Sequence, residues 1–485
     1  MKTKLIGLGM WGMIFLLCAM QSPARAATAQ GERLTVDQAV ELAIQNNLQR
    51  KMAEGEVAIA GDKAAQAKAG YKGKLTLSGG ISQLNDQPDL VKLGQKLADL
   101  NNAVDNLANM SYQWAASSTS SPNPLIIGGL KQLSQGLTQK EGPDDGLTYY
   151  GINLRYELPL YTGGKLEALN RQAQANQAYT RYNLETVEQE LIFTVKKAYY
   201  VVLQTRQSRE TLNEAVKSME NHLREAQLYY EAGMVPQLDV MRAEVKLADL
   251  RQKQLMVNNG LETAQVYLDF VLGVDQGNRY ELVDQMEYTP YGKDLEAAKQ
   301  TALENRSELK AIRTKVQMAE EAVTVVKSGN KPIVALVAEG GEKTTRPFNS
   351  DDLDLSLSLV ATLKLTDGGM VKNRIAEAEK VVRQAKTGEE QLTRAIKLEV
   401  EQAYRNLQNA LETIAVARKV LNQAQETVRM AEVSYKEGLS TSLERIDAET
   451  GLTQAKNNYN QAVSNYQIAL AQLEKAIGDG GRSSR

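Results

Sequence analysis

In 485 residues the chain holds one histidine, His222, and one cysteine, Cys18. A zinc site needs several His or Cys side chains. A Ser-His-Asp triad or a Cys-His pair needs a histidine with a placed partner, and a disulfide framework needs paired cysteines. None of these can be assembled here. No nucleophile–base pair or phosphate loop is present, so the sequence reads as a non-enzyme with no cofactor and no metal. His222, between Asn221 and Leu223 in a long helical stretch, reads as a surface or inter-helix side chain. Glu320-Glu321 reads as helix-face charge. Glu444 and Asp447, three residues apart with Arg445 between them, read on their own as a solvated helix face. Trp114 has no assignable role. Lys and Arg total 57 against 59 Asp and Glu, a net charge of −2, which leaves no basic footprint for nucleic acid. Mean hydropathy is low, which argues against a multi-helix membrane protein.

Lys2 and Lys4 precede an apolar run from Leu5 to Met20, and Ala24-Arg25-Ala26 fits a small-x-small cleavage site. This predicts a secretory signal over residues 1–26. Cys18 falls inside it, behind Leu17, where a lipid-anchored cysteine would need a small residue. No later stretch approaches 18 apolar residues. The exported chain is therefore either soluble or crosses a membrane as a β-barrel.

The rest of the chain is one unit written twice. Leu160-Tyr161-Thr162-Gly163-Gly164 matches Leu365-Thr366-Asp367-Gly368-Gly369 at an offset of 205. The same offset relates Ala198-Tyr199 to Ala403-Tyr404, Gly233 to Gly438, Leu238 to Leu443 and Gly273 to Gly478. Earlier positions match at 259: Ala39 with Ala298, Ala43 with Ala302, Asn46 with Asn305, Gly70 with Gly329. The difference of 54 places an insertion at about 83–146 of the first copy, in turn-forming sequence with a short helix near Leu90 to Met110. Each copy reads helix, strand, strand, very long helix, tight turn, long helix. From Gly163 to Ala232 and from Gly368 to Glu437 there is no proline, room for a helix of about 105 Å at 1.5 Å per residue. Val400, Ala403, Leu407, Ala410, Ile414, Ala417, Leu421, Ala424, Val428, Ala431 and Tyr435 keep a 3.5-residue repeat, as do Val195 to Tyr230 with Thr205 and Arg209 as exceptions. Such a seam makes a coiled coil, and its alanines allow close approach. By heptads alone an ordinary antiparallel coiled-coil hairpin fits as well as any larger assembly.

Leu353 to Leu365 alternate with polar residues over about fourteen positions. Tyr150, Ile152, Leu154, Tyr156 and Leu158 do the same, as do Leu75, Leu77 and Ile81, and Pro332 to Glu339 gives a less regular fourth strand. Ten-residue alternating segments flanked by aromatics, here Tyr71, Tyr149, Tyr150, Tyr156 and Tyr161, suit a transmembrane barrel. A soluble sheet with one face on a core alternates in the same way. Export and the length of the helices favour the barrel. Four strands cannot close one, since single-chain barrels start at about eight, so two or three chains must share it.

Pro159-Leu160-Tyr161-Thr162-Gly163-Gly164, Gly233-Met234-Val235-Pro236-Gln237-Leu238-Asp239-Val240 and Gly438-Leu439-Ser440-Thr441-Ser442-Leu443-Glu444, in this order within a duplicated chain, resemble the TolC-like outer-membrane efflux proteins, the outer membrane factors. The resemblance covers the whole mature chain. It implies an α+β membrane protein: a homotrimer whose chains pool four strands each into a twelve-stranded transmembrane β-barrel in outer-membrane lipid. That barrel would continue into a long periplasmic α-helical coiled-coil barrel. It implies a passive exit duct that joins a periplasmic adaptor protein and an inner-membrane pump, for efflux or type I secretion. The corresponding division is signal peptide 1–26, first repeat 27–276, an equatorial inter-repeat segment 277–293, second repeat 294–478 and a tail 479–485. The loops at 83–146 and near 340–352 would face outside. An exported coiled-coil spacer or adhesin is the alternative, and it leaves the strands and Gly-Gly junctions without a purpose.

The turns at Gly233 and Gly438 then become periplasmic tips. Local chemistry accounts for them as turns: glycine suits a left-handed helix end, Pro236 the first turn of the next helix, and Ser440 or Thr441 a cap. The resemblance adds that Gly233, Met234, Val235, Gly438, Leu439 and Ser440 contact the adaptor. It also implies a gate, with Asp239, six after the first tip glycine, bonded to Tyr435, three before the second. Glu444 and Asp447, six and nine after the second, would ring the constriction. The arginine that the family carries two after the second glycine is Ser440 here, so part of the closing network is missing or replaced.

Overall fold

Neither proline nor glycine interrupts residues 165–232, and no proline interrupts 370–437. In the computed structural model each stretch is a single helix of 67 residues, Lys165–Glu231 and Met370–Lys436, in register at the offset of 205. The structure describes residues 32–84, 147–275, 280–284, 287–344 and 354–479. The signal segment, the inserted loop with its short helix and Trp114, the shorter loop at 345–353, the side chain of Tyr149 and the tail beyond residue 479 lie outside the described residues.

In chain order the elements are β1 (Glu32–Leu34), α1 (Val36–Asn46), α2 (Leu48–Ala69), β2 (Lys74–Leu84), β3 (Leu147–Tyr161), α3 (Lys165–Glu231) and α4 (Gln237–Leu272). They continue with β4 (Tyr280–Leu282), α5 (Leu295–Asn305), α6 (Ser307–Lys327), β5 (Ile333–Thr344), β6 (Asp354–Thr362), α7 (Met370–Lys436) and α8 (Ser442–Ala476). Two compact units contain them, and each draws on both repeats. One comprises Val57–Thr180 and Ala311–Glu389; the other takes in the chain up to Glu56, Arg181–Lys310 and everything from Glu390.

The duplication extends to individual hydrogen bonds. Thr162 Oγ1 accepts from the Leu166 N–H at the start of α3, and Asp367 Oδ2 accepts from Val371 N–H at the start of α7. Asn47 donates from Nδ2 to the carbonyl of Val271 at 3.1 Å, and its counterpart Arg306 donates from Nη1 to that of Ala476 at 3.1 Å. Every described glycine with positive φ has its partner 205 residues away.

The heptad seam of α7 is where the sequence places it. Val400, Ala403, Leu407, Ile414, Ala417 and Tyr435 are buried, the other seam positions are half-buried, and most residues between them are exposed. Tyr230, the counterpart of Tyr435, is exposed. Around the inter-repeat stretch, β1 pairs in parallel with β4. Tyrosine hydroxyls hold this layer to the long helices: Tyr199 donates to the Leu34 carbonyl at 2.8 Å and contacts Asp284 at 2.5 Å, and Tyr466 donates to the Thr289 carbonyl at 2.6 Å.

The second sheet is antiparallel throughout, in the order β2-β3-β5-β6, with β2 and β6 at its edges. Its register sorts most side chains by face, with Glu342 opposite Ile152 and Val337 opposite Ser358 as exceptions. One face carries Thr76, Ser78, Asn153, Arg155, Glu157, Glu339, Ser356 and Ser358, with Arg155 Nη1 bound to Glu339 Oε1 at 2.7 Å. The other carries Leu75, Leu77, Ile81, Ile152, Leu154, Tyr156, Leu355, Leu357 and Leu359, all exposed, Leu355 to 78% and Leu77 to 70%. The alternation expected to run from Leu353 to Leu365 supports a strand only over Asp354–Thr362; beyond it the chain turns into the Asp367-Gly368-Gly369 junction. The irregular fourth strand is longer than its pattern suggested, Ile333–Thr344. Its Gly340 and Gly341 break the apolar alternation without breaking the hydrogen-bonded ladder.

Candidate functional site

The hairpins α3–α4 and α7–α8 end in the same turn chemistry. Gly233 at φ +74° donates its N–H to the Tyr230 carbonyl, and Met234 donates to Tyr229. Gly438 at φ +70° donates to Tyr435, and Leu439 to Ser434. These pairs satisfy the last carbonyls of each long helix through a left-handed glycine. Nothing lies within 4 Å of a side chain built at either glycine, so backbone conformation, not space, demands them. At the second tip Thr441 caps α8 in a reciprocal box with Glu444, whose Oε2 accepts the Thr441 N–H at 2.8 Å. At the first, Pro236 stands one place earlier than expected, as the residue before the helix and not in its first turn, and makes no side-chain cap.

Of the tip residues, Met234 is 72% and Leu439 82% exposed, Val235 and Ser440 are half-buried, and the Ser440 hydroxyl is buried without a hydrogen-bond partner. Glu444 and Asp447 share the exposed side of α8, opposite Ser442, Arg445, Ile446 and Glu449, which are buried. Arg445 is therefore not their surface partner.

The expected bond between Asp239 and Tyr435 is not made. Asp239 pairs with Arg242 at 3.6 Å, and the Tyr435 hydroxyl is buried with no hydrogen-bond partner. Burial pushes the pKa of that phenol up; Arg445 opposes the rise, and Asp239, Tyr229 and Glu225 add to it.

Tyr435 instead lies within a cluster that the sequence reading missed. His222 is fully buried and meets the Tyr435 ring edge-on, with centroids 5.4 Å apart at 68°. Its Nε2 is 2.9 Å from Ser442 Oγ, and its Nδ1 has no partner. The guanidinium of Arg445, 5% exposed, covers the same ring at 5.5 Å, a cation–π distance. Arg445 Nη1 donates to Glu225 Oε2 at 2.6 Å and its Nε to Glu449 Oε1 at 3.3 Å. Burial works against this charge, but the two carboxylates hold Arg445 protonated. Burial pushes Glu449 up against the pull of Arg445. His222 is pushed down to about 4 by burial and then by Arg445, with Glu225 opposing, so at neutral pH it is uncharged. A signal was available: at the offset of 205, His222 aligns with Thr427, Glu225 with Met430, Ser442 with Gln237 and Arg445 with Val240. The cluster takes residues from both repeats, and the duplicate positions keep the helices without these side chains.

No group of three or more His, Cys, Asp or Glu side chains poised for a metal ion occurs among the described residues, and no described helix is long and apolar enough to cross a membrane.

Known proteins match most of the chain. The family described as outer membrane efflux protein matches residues 39–274 and 298–479. The chain is 22% identical over 341 residues to the outer membrane protein TolC of Vibrio cholerae serotype O1, 68% of this chain and 76% of that one. It is 23% identical over 371 residues to TolC of Escherichia coli K12, 73% and 74% of the two chains. Among solved structures, a membrane protein from Pseudomonas aeruginosa matches with a TM-score of 0.73 at 16% identity over 91% of this chain and 92% of that one. The CmeC outer membrane channel of Campylobacter jejuni gives 0.72 at 14% identity over 92% and 86%.

Proposed function

The chain belongs to the outer membrane efflux protein family, and from that premise we propose that it is the exit duct of a tripartite efflux or type I secretion system. It is an outer-membrane protein with a large periplasmic helical part. Three copies close their four-stranded sheets edge to edge into one twelve-stranded barrel, β6 of one chain against β2 of the next. A periplasmic adaptor meets the exposed tips at Gly233, Met234, Val235, Gly438, Leu439 and Ser440, and an inner-membrane pump drives the substrate. The duct does no chemistry of its own.

The observation that carries this reading is the two-faced sheet. A continuous exposed face of leucine, isoleucine and tyrosine suits lipid, and would be a liability in water. The opposite face, with its serines and the Arg155–Glu339 pair, suits a watery lumen. A free coiled-coil spacer has no use for such a sheet.

The gate lies near the hairpin ends. Asp239 in its pair with Arg242 and Tyr435 in its buried cluster flank it without a bond between them, and Glu444 and Asp447 form a ring of six carboxylates where three chains converge. The test is single-channel conductance of the purified full-length protein in a planar bilayer, wild type against an Asp239→Ala, Tyr435→Phe double variant. A small wild-type conductance that rises in the variant is expected. Absence of conductance in both, in folded and inserted protein, overturns the duct.

A further inference from the structure

The cluster around Tyr435 joins the ends of four helices. Arg445 and Ser442 belong to the first two turns of α8, and Glu225 and His222 to the last three turns of α3. Tyr435 and Glu432 come from α7, and Asp239 from α4. Two buried contacts, Arg445–Glu225 at 2.6 Å and His222–Ser442 at 2.9 Å, bind one hairpin to the other. We propose that His222, Glu225, Ser442 and Arg445 form an intrachain latch that holds the end of the second hairpin on the first and releases when His222 takes a proton. The proposal rests on the duct reading above.

The geometry gives the latch its direction. Arg445 is already held by two carboxylates and its charge opposes a second cation beside it, and Ser442 offers His222 only a neutral hydroxyl. Protonated His222 therefore sits against Arg445, with Glu225, already bound to Arg445, as its remaining counter-charge. A buried pair between elements that can separate is a switch, because separation returns both charges to water. The latched state keeps His222 near 4, whereas a solvated histidine titrates near 6.5, so the latched state binds the proton less. As pH falls below 6.5 the released state gains, by about 160-fold in population at pH 4, and the gain saturates near about 300-fold well below that pH. Burial holds the Tyr435 phenol above its ordinary value, so it stays neutral throughout this window. Glu225, Glu432, Glu449 and Asp239 also face the cluster, and a variant lacking only the histidine separates their titration from its own. The duplicate positions Thr427, Met430, Gln237 and Val240 lack this chemistry, which fits a single latch between the hairpins.

The chain contains a single histidine, so labelled imidazole gives one unambiguous NMR signal in the intact protein. We expect it to titrate near 4, and to move towards 6.5 in Arg445→Met. In bilayers, we expect wild-type open probability to rise between pH 6.5 and 4, His222→Gln to lose that rise, Arg445→Met to be open already at pH 7.5, and Arg445→Lys to restore part of the closure. A wild-type histidine titrating near 6.5 overturns the latch whatever the channel does, as does a His222→Gln pH profile matching wild type. A wild type that conducts with no acid response removes the latch and leaves the duct. Folded, inserted protein that conducts at no pH removes both.

Discussion

Glu444 and Asp447 differ from their neighbour Arg445 in one respect that decides their use: they face outward from α8 while Arg445 is buried beneath it. Glu444 is also engaged in the capping box, its carboxylate fixed on the backbone N–H of Thr441. A residue so held cannot swing away from the tip, and Asp447, one turn on, lies on the same side. Three copies would bring six carboxylates together, a field that concentrates cations. Glu444→Gln keeps the reciprocal cap, because glutamine also reaches back to the N-cap backbone, and Asp447→Asn changes charge with little change in shape. The double variant should therefore leave the helical circular dichroism unchanged, reduce cation over anion preference in bilayers severalfold, and abolish block by multivalent cations. Unchanged block in folded protein would remove both residues from the pore.

At the scale of elements, the same short motifs terminate helices in both repeats, and their cost can be measured. At φ +70° in open space, Gly438→Ala meets no clash but forces an alanine into the left-handed region, for about 1 kcal/mol. Because the turn also carries the Tyr435 carbonyl and leads into the Thr441 cap, the loss should appear as faster hydrogen exchange in the last turn of α7 and the first of α8, with the rest of both helices unaffected. These boundaries were legible in sequence: Gly-Gly junctions, tip glycines, the absence of proline and the heptad seam depend on nearest neighbours and period, and they gave the helix ends to within a residue or two. The buried cluster was not legible in the same way. Its contacts join residues 220 apart, His222 with Ser442 and Glu225 with Arg445, and no local period marks them. Read locally, Arg445 between Glu444 and Asp447 looked like a surface counter-ion, because i,i+3 charge spacing carries no information about a third helix. The Asp239–Tyr435 bond was carried over from relatives, and in this chain Arg242 and the His222 cluster occupy those two side chains differently.

For the whole molecule, what matters is which solvent each face of the sheet meets. Pairing register fixes this, since a slip of one residue in any strand would exchange the leucines for the serines. The described ladders hold a continuous register from Lys74↔Glu157 to Leu84↔Leu147 and from Ile333↔Thr362 to Gly341↔Asp354, with an irregularity only between Pro159 and Tyr161, at the exit to α3. Leu357 and Ser358 are neighbours in β6 on opposite faces, and they make a controlled pair. If the apolar face meets lipid, Leu357→Arg places a guanidinium in hydrocarbon at a cost of about 2–4 kcal/mol near the bilayer midplane. Assembly into the outer membrane should fall, read as loss of the folded, heat-modifiable species from outer-membrane fractions. Ser358→Arg adds the same side chain to the polar face, where Arg155 already resides. It should assemble at wild-type levels and shift ion selectivity towards anions. A soluble sheet with that face on a core would leave folded wild type and Ser358→Arg in membrane-free extracts, and their recovery there would count decisively against a barrel.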